Sequence, residues 1–180
     1  VKSRIFDGVD WTPISSAIFK VNTVPASSNN LVVSEINYRP GSATDEEKEA
    51  GFESRGDFEF IELLNVDSTR SIDLGGVSFS QGIEFDFDNT LSAEALVLPP
   101  GGRVVLVDNI EAFNFRYSNS RAIIGGNFAG NLSNDGEQIL IVSADRITIK
   151  DFSYNDAEPW PILPDGDGFT LTLNEPDQNP

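Results

Sequence analysis

The 180-residue chain contains no cysteine, no histidine and no methionine. Without cysteine it has no disulfide, thiolate metal ligand or thiol nucleophile. Histidine is the usual general base near neutral pH and the commonest transition-metal ligand. Its absence excludes Ser-His-Asp hydrolysis and histidine-ligated zinc. What remains is the chemistry of carboxylates and of oxygen-ligated calcium. Basic residues are scarce: 12 Lys and Arg stand against 29 Asp and Glu, for a net charge of -17. Affinity for nucleic acid comes from Lys and Arg displacing counterions, so this surface repels a phosphate backbone. It repels anionic lipid in the same way. No stretch approaches the ~20 apolar residues of a membrane span. We therefore expect no nucleic-acid partner and no membrane insertion. No signal-peptide pattern precedes the strands. The missing initiator Met gives the expectation of a piece excised from a longer polypeptide.

The chain is rich in short two-faced strands separated by Gly, Asn and Asp turns. Phe169 to Leu173 alternates apolar and polar residues directly behind the turn Asp165-Gly166-Asp167-Gly168. Residues 1–21 read as a β-hairpin with strips at Val1–Phe6 and Ala17–Val21 around the turn Asp7–Pro13. It is either the end of a preceding immunoglobulin- or fibronectin-like module or an edge added to the main domain. Residues 22–30 and 175–180 have linker composition. Residues 31–174 form the main body, beginning with a strand at Leu31–Asn37.

A polar segment, Arg39–Gly56, reads as a long exposed loop, with Thr44–Ala50 as solvated acid. In the second strand, Phe58–Asn65, the apolar phase slips between Phe60 and Ile61, which predicts a β-bulge there. Ile72–Leu74 and Val77–Phe79 flank Gly75-Gly76, and Ile83, Phe85 and Phe87 alternate with Glu84, Asp86 and Asp88. Leu96–Leu98 and Arg103–Val107 are expected to form a hairpin across Pro99–Gly102. Phe128–Ser133 and Gln138–Val142 are expected to form another across Asn134-Asp135-Gly136. Asp108-Asn109 predicts a cap for the one helix, over residues 110–117. This spacing of strands indicates an all-β sandwich with one short helix.

Two carboxylate groups are candidate calcium ligands, because adjacent acids relieve their repulsion by sharing a cation. Glu84, Asp86 and Asp88 lie on one face of a strand, against the plainer reading of a solvated face. Glu35, Glu59 and Glu62 lie on two strands expected to pair, with Arg39 or Arg55 as alternative structural partners. Asp165-Gly166-Asp167-Gly168 lacks the further acids of an EF-hand loop and reads as a tight turn. A glycoside hydrolase needs two carboxylates flanking a cleft. With 29 acids some pair meets that spacing by chance, so this reading stands last. Trp11, Trp160, Tyr38, Tyr117 and Tyr154 would stack sugars only if exposed together, and Trp160 between two prolines reads as a plug at one end of the sandwich.

In chain order, Val33–Tyr38, Phe58–Asn65, Ile72–Phe79, Leu98–Val107, Asn131–Glu137, and Trp160-Pro161 followed by Asp165–Leu173 resemble the lamin tail domain, especially its bacterial secreted type. The family often carries Trp where Val77 stands here, so that anchor is missing. The resemblance implies an immunoglobulin-like β-sandwich without catalytic activity. It implies an interaction or spacer module of a larger secreted or cell-surface protein, extracellular in location, with flanking domains in the same polypeptide. The expected partner is a protein, with a polysaccharide bound by a carbohydrate-binding module as the alternative. No cofactor is required, and calcium is the one ion the acids suit.

Overall fold

The computed structural model describes residues 2–16 and 22–174. Its strands are β1 (Lys2–Ser3), β2 (Ser15–Ser16), β3 (Thr23–Pro25), β4 (Leu31–Asn37), β5 (Phe60–Asn65), β6 (Ser71–Asp73) and β7 (Ser78–Gln81). They continue with β8 (Phe85–Asp86), β9 (Val97–Leu98), β10 (Arg103–Val107), β11 (Ile124–Asn127), β12 (Glu137–Val142), β13 (Thr148–Tyr154) and β14 (Leu171–Thr172). The helices are α1 (Asp45–Glu49), α2 (Ala93–Leu96) and α3 (Ile110–Arg116), with 3-10 turns at Arg55–Phe58 and Phe87–Asn89.

A five-stranded sheet, ordered β11-β10-β5-β4-β14, faces a four-stranded sheet, ordered β13-β12-β7-β8. The strands β3-β6-β9 form a smaller third sheet. Leu31, Ile36, Ile61, Leu63, Val104 and Leu106 from the first sheet share one core cluster with Phe79, Phe85, Ile139, Ile141 and Ile149 from the second. This is the sandwich its alternating strands predict.

The slipped phase around Phe60 has a different cause from the one expected. Register between β5 and β10 runs unbroken from Leu64↔Arg103 to Phe60↔Val107, so β5 carries no bulge there. Phe60 instead joins Val105, Val107 and Phe113 in a second cluster, on the sheet face that α3 covers. Ile61 and Leu63 point into the main core. Both faces of β5 are covered, so both phases are apolar. The irregularity lies in the partner strand, where β4 shifts register between Val33 and Glu35.

Two expected hairpins are replaced by longer-range pairings. β9 pairs β6, not β10, which places the two sides of the Pro99–Gly102 turn in different sheets. Asn65 ties this corner together: its buried Nδ2 lies 3.0, 3.0 and 2.9 Å from the carbonyls of Arg70, Leu98 and Pro99. Residues 128–133 contribute no named strand, and β12 pairs β13 and β7. The turn Asn134-Asp135-Gly136 therefore leads into β12 without closing a hairpin. Residues 22–30 are not a linker, because β3 pairs parallel with β6, and Ala26 and Asn30 are buried.

The N-terminal strands β1 and β2 pair in register Lys2↔Ser16 and form no ladder with the other sheets among the described residues. The expected strip Ala17–Val21 and tail 175–180 lie outside the described residues. The expected helix is present as α3, where the Asn109 side chain accepts the Glu111 and Ala112 N–H groups at 3.0 and 3.2 Å. The acidic loop before β5 is more built than its composition predicts. Thr44 caps α1 with a capping box, and Glu47 turns inward.

Candidate interaction groove

The two main sheets leave a groove on one side, between β4 and β14 of the larger sheet and β13 of the smaller. Its volume is about 580 Å³, within the range of ligand-sized clefts. Val32, Val33 and Ile36 from β4 form one wall, and Phe152 and Tyr154 from β13 form the other. Trp160 and Leu171 complete the apolar lining. Trp160 is half-buried against the main core, so the expected plug is also groove wall. Two charged side chains enter the lining, Glu35 and Lys150. Thr170 Oγ1 donates to Glu35 Oε1 at 2.7 Å. Burial lowers the pKa of Lys150.

The six candidate calcium ligands do not form a cage. Glu35 and Glu62 are direct cross-strand neighbours on β4 and β5, where two like charges repel. Each is satisfied separately. Glu62 takes Arg103 as its ion-pair partner and a 2.6 Å hydrogen bond from Ser34 Oγ. The proposed arginines go elsewhere: Arg39 pairs with Asp165, and Arg55 donates to Ser42 Oγ at 2.7 Å.

Glu59 is buried just before β5, where Oε2 accepts the Leu132 N–H at 2.8 Å. Burial pushes its pKa up to about 7, the Leu132 N–H opposes that, and Asp108 and Glu137 add to the rise. It anchors the 128–137 connection to the larger sheet. Tyr154 secures the same loop by donating to the Ser133 carbonyl at 2.8 Å and to Glu137 at 3.0 Å.

Glu84, Asp86 and Asp88 are exposed, with Ile83, Phe85 and Phe87 buried opposite, as their alternation predicts. Only Phe85–Asp86 is strand, however, and the chain then turns. The two aspartates act on backbone: Asp86 accepts the Asp88 N–H, and Asp88 accepts the Gly76 N–H, each at 2.9 Å. No three acidic side chains converge into a metal-holding group among the described residues.

Sequence comparison supplies the remaining observation. A family model described as Lamin Tail Domain matches residues 24–156. The chain belongs to the lamin tail domain family. No curated protein and no solved structure gives a significant match. The match begins at β3, in agreement with the parallel β3–β6 pairing that builds this segment into the domain. In this lamin tail domain Val77 is 2% exposed and packs in the main cluster, so an aliphatic core residue occupies the position where the family often has Trp.

Of the five candidate sugar-stacking aromatics, Trp160 and Tyr154 both border the groove, but Tyr154 is only 2% exposed, and the other three lie elsewhere. Tyr38 and Tyr154 are buried and stack on each other with centroids 5.0 Å apart. Tyr117 packs against Phe60 and Phe113, and Trp11 lies on the N-terminal hairpin against Phe6. They make no shared sugar-stacking platform. Asp165–Gly168 is a tight turn, with Gly166 and Gly168 at φ 93° and 84°, the left-handed region that glycine reaches at least cost.

The apolar and alternating character of Val33 and Phe152 is visible in the sequence, but nothing local shows that β13 comes to lie across from β4, or that Lys150 enters a groove between them.

Proposed function

We propose that this lamin tail domain is a non-catalytic contact module of a larger secreted or cell-surface bacterial protein, and that the β4–β13 groove receives a protein partner. The groove carries this reading: it is apolar, open, and bounded by the margins of both main sheets. Family membership supports the non-catalytic part, since the family consists of immunoglobulin-like domains without enzymatic chemistry. The resemblance to the bacterial secreted type supports the placement outside the cell. The net charge of -17 supports solubility and a partner that is not itself acidic. Calcium is not part of this reading, because Glu35, Glu59, Glu62, Asp86 and Asp88 are separately engaged and no three acids converge among the described residues.

Selection from a displayed random peptide library, run beside a glycan array, tests it. The expected result is enrichment of peptides that compete with one another and lose binding to Trp160→Ala. Glycan binding with no enriched peptide would overturn the protein-contact reading and restore the carbohydrate-binding one.

A further inference from the structure

Residues 130–136 connect the Glu84↔Ala129 bridge to the start of β12 and belong to no named strand or helix. Both ends are glycine. Gly130 and Gly136 sit at φ 89° and 95°, the left-handed region that glycine reaches at least cost. Between them two anchors hold the segment. At the first, the Ser133 N–H donates to Glu137 Oε1 at 2.8 Å and the Ser133 carbonyl accepts the Tyr154 hydroxyl at 2.8 Å. At the second, the N–H of fully buried Leu132 donates to Glu59 Oε2 at 2.8 Å.

The Glu59 anchor is built against its own charge. Glu59 is 6% exposed, and no ion pair reaches it among the described residues. The charged groups that act on it are both carboxylates: Asp108, just after β10, and Glu137, at the start of β12. The Arg55–Phe58 turn brings Asp57, which acts on Asp108 in the same sense. From β13 comes Tyr154, whose phenol is held neutral by burial and by Glu137. When Glu59 ionises, the Leu132 N–H stands against burial and two like charges.

We infer that Glu59 is a proton-operated latch on residues 130–136. Protonated, it holds the segment closed with Leu132 buried; ionised, it releases the segment, which turns on Gly130 and Gly136. Release gives up the bonds at Leu132 and Ser133 and hydrates the carboxylate. The closed segment favours neutral Glu59, so the latch is fully engaged below 4.5 and weakens as pH rises through about 7. With the ordinary 4.5 restored on opening, the closed-to-open ratio falls by up to about 300-fold across that window.

Hydrogen exchange of the full chain tests this, read by mass spectrometry on peptides covering residues 130–136 and β10. Protection is compared at pH 5 and pH 8 after correction for unstructured-chain rates. The wild-type 130–136 segment is expected to lose more than about tenfold in protection at pH 8. There it should stand at least about tenfold below β10, because it opens by itself. Glu59→Gln keeps an acceptor for the Leu132 N–H but cannot ionise, so its loss should be at least about tenfold smaller. If that variant does not fold, Glu137→Gln decides. It keeps an acceptor for Ser133 and removes one facing charge, so the loss should shrink by about twofold or more.

Protection that does not fall with pH overturns the inference, as does an equal fall in Glu59→Gln. An unchanged loss in Glu137→Gln does the same. Equal protection in the segment and in β10 also overturns it, since release would then occur only with unfolding of the whole domain.

Discussion

The larger sheet is finished in two different ways. On its outer face, around β5 and β10, the chain adds α1, the Arg55–Phe58 turn and α3. At its β4 margin it adds, among the described residues, the two residues of β14 and one further bond from Leu173 N–H to the Ser34 carbonyl. The covered side is held by a specific ion pair. Arg116 donates to both carboxylate oxygens of Glu47 at 2.7 Å, and its guanidinium lies 3.3 Å over the Phe58 ring. The Glu47 and Arg116 side chains are 6% and 16% exposed, so the pair is largely desolvated. The open side has largely apolar walls, with Glu35 and Lys150 entering the lining. The Glu47–Arg116 pair thus closes one region of the sheet, and the proposed contact groove lies at the other, so stability and recognition would reside in different places.

The sharpest way to break this comparison is Arg116→Ala. It leaves Glu47 buried without its partner and is expected to cost about 3–5 kcal/mol. Urea midpoints would show this, with binding of the library-selected peptides retained wherever the variant is folded. A loss near zero would mean that the covered side is not locked by this pair.

Glu59 gives the next effect, and its sign is opposite to that of an ordinary ion-paired acid. Its folded pKa is raised to about 7 from 4.5, so its contribution is fully present below 4.5 and is lost as pH rises through about 7. The loss is expected to reach up to about 3 kcal/mol. Glu59→Gln removes it, so the variant should gain on the wild type between pH 5 and pH 8 in denaturant titrations. Comparing the two proteins cancels the general acid repulsion both share. Glu47 works in the other direction: its Arg116 bonds lower its pKa, so its contribution is present above 4.5 and is lost as pH falls through the folded value.

The smallest stability effect belongs to the open side. Trp160 is half-buried, so Trp160→Ala should cost only about 1–2 kcal/mol while removing peptide binding. A cost as large as that of Arg116→Ala would show that Trp160 is chiefly a core residue and would blur the contrast.

Much of this arrangement was legible in the residues. Alternation identified the buried set Ile83, Phe85 and Phe87, and Asn109 identified the start of α3. Six short segments in order pointed to the family that the matched residues 24–156 establish. Elsewhere the local signal is present but the pairing it suggests is not the one formed. Leu98 and Arg103 flank a good turn, yet docking sends them into separate sheets, because β6 offers β9 a ladder and β5 offers one to β10. The phase change at Phe60 suggests a bulge because nothing in the strand itself announces a helix covering its second face. In the sequence Glu47 is indistinguishable from the solvated acids around it, because its partner Arg116 lies 69 positions away.

The candidate calcium ligands failed to assemble for the same reason. Spacing along a chain places carboxylates on a face, but it does not say which are already taken by Arg103, Thr170 or a backbone N–H.

The amino-acid order alone determined the periodicities, the turns, the acidic surface and the absence of thiol and imidazole chemistry, since these depend on residues close in the chain or on composition. Only the folded arrangement decided which margins meet and which acid is buried. It also decided that a groove remains between β4 and β13, because those outcomes depend on contacts between segments far apart in the chain.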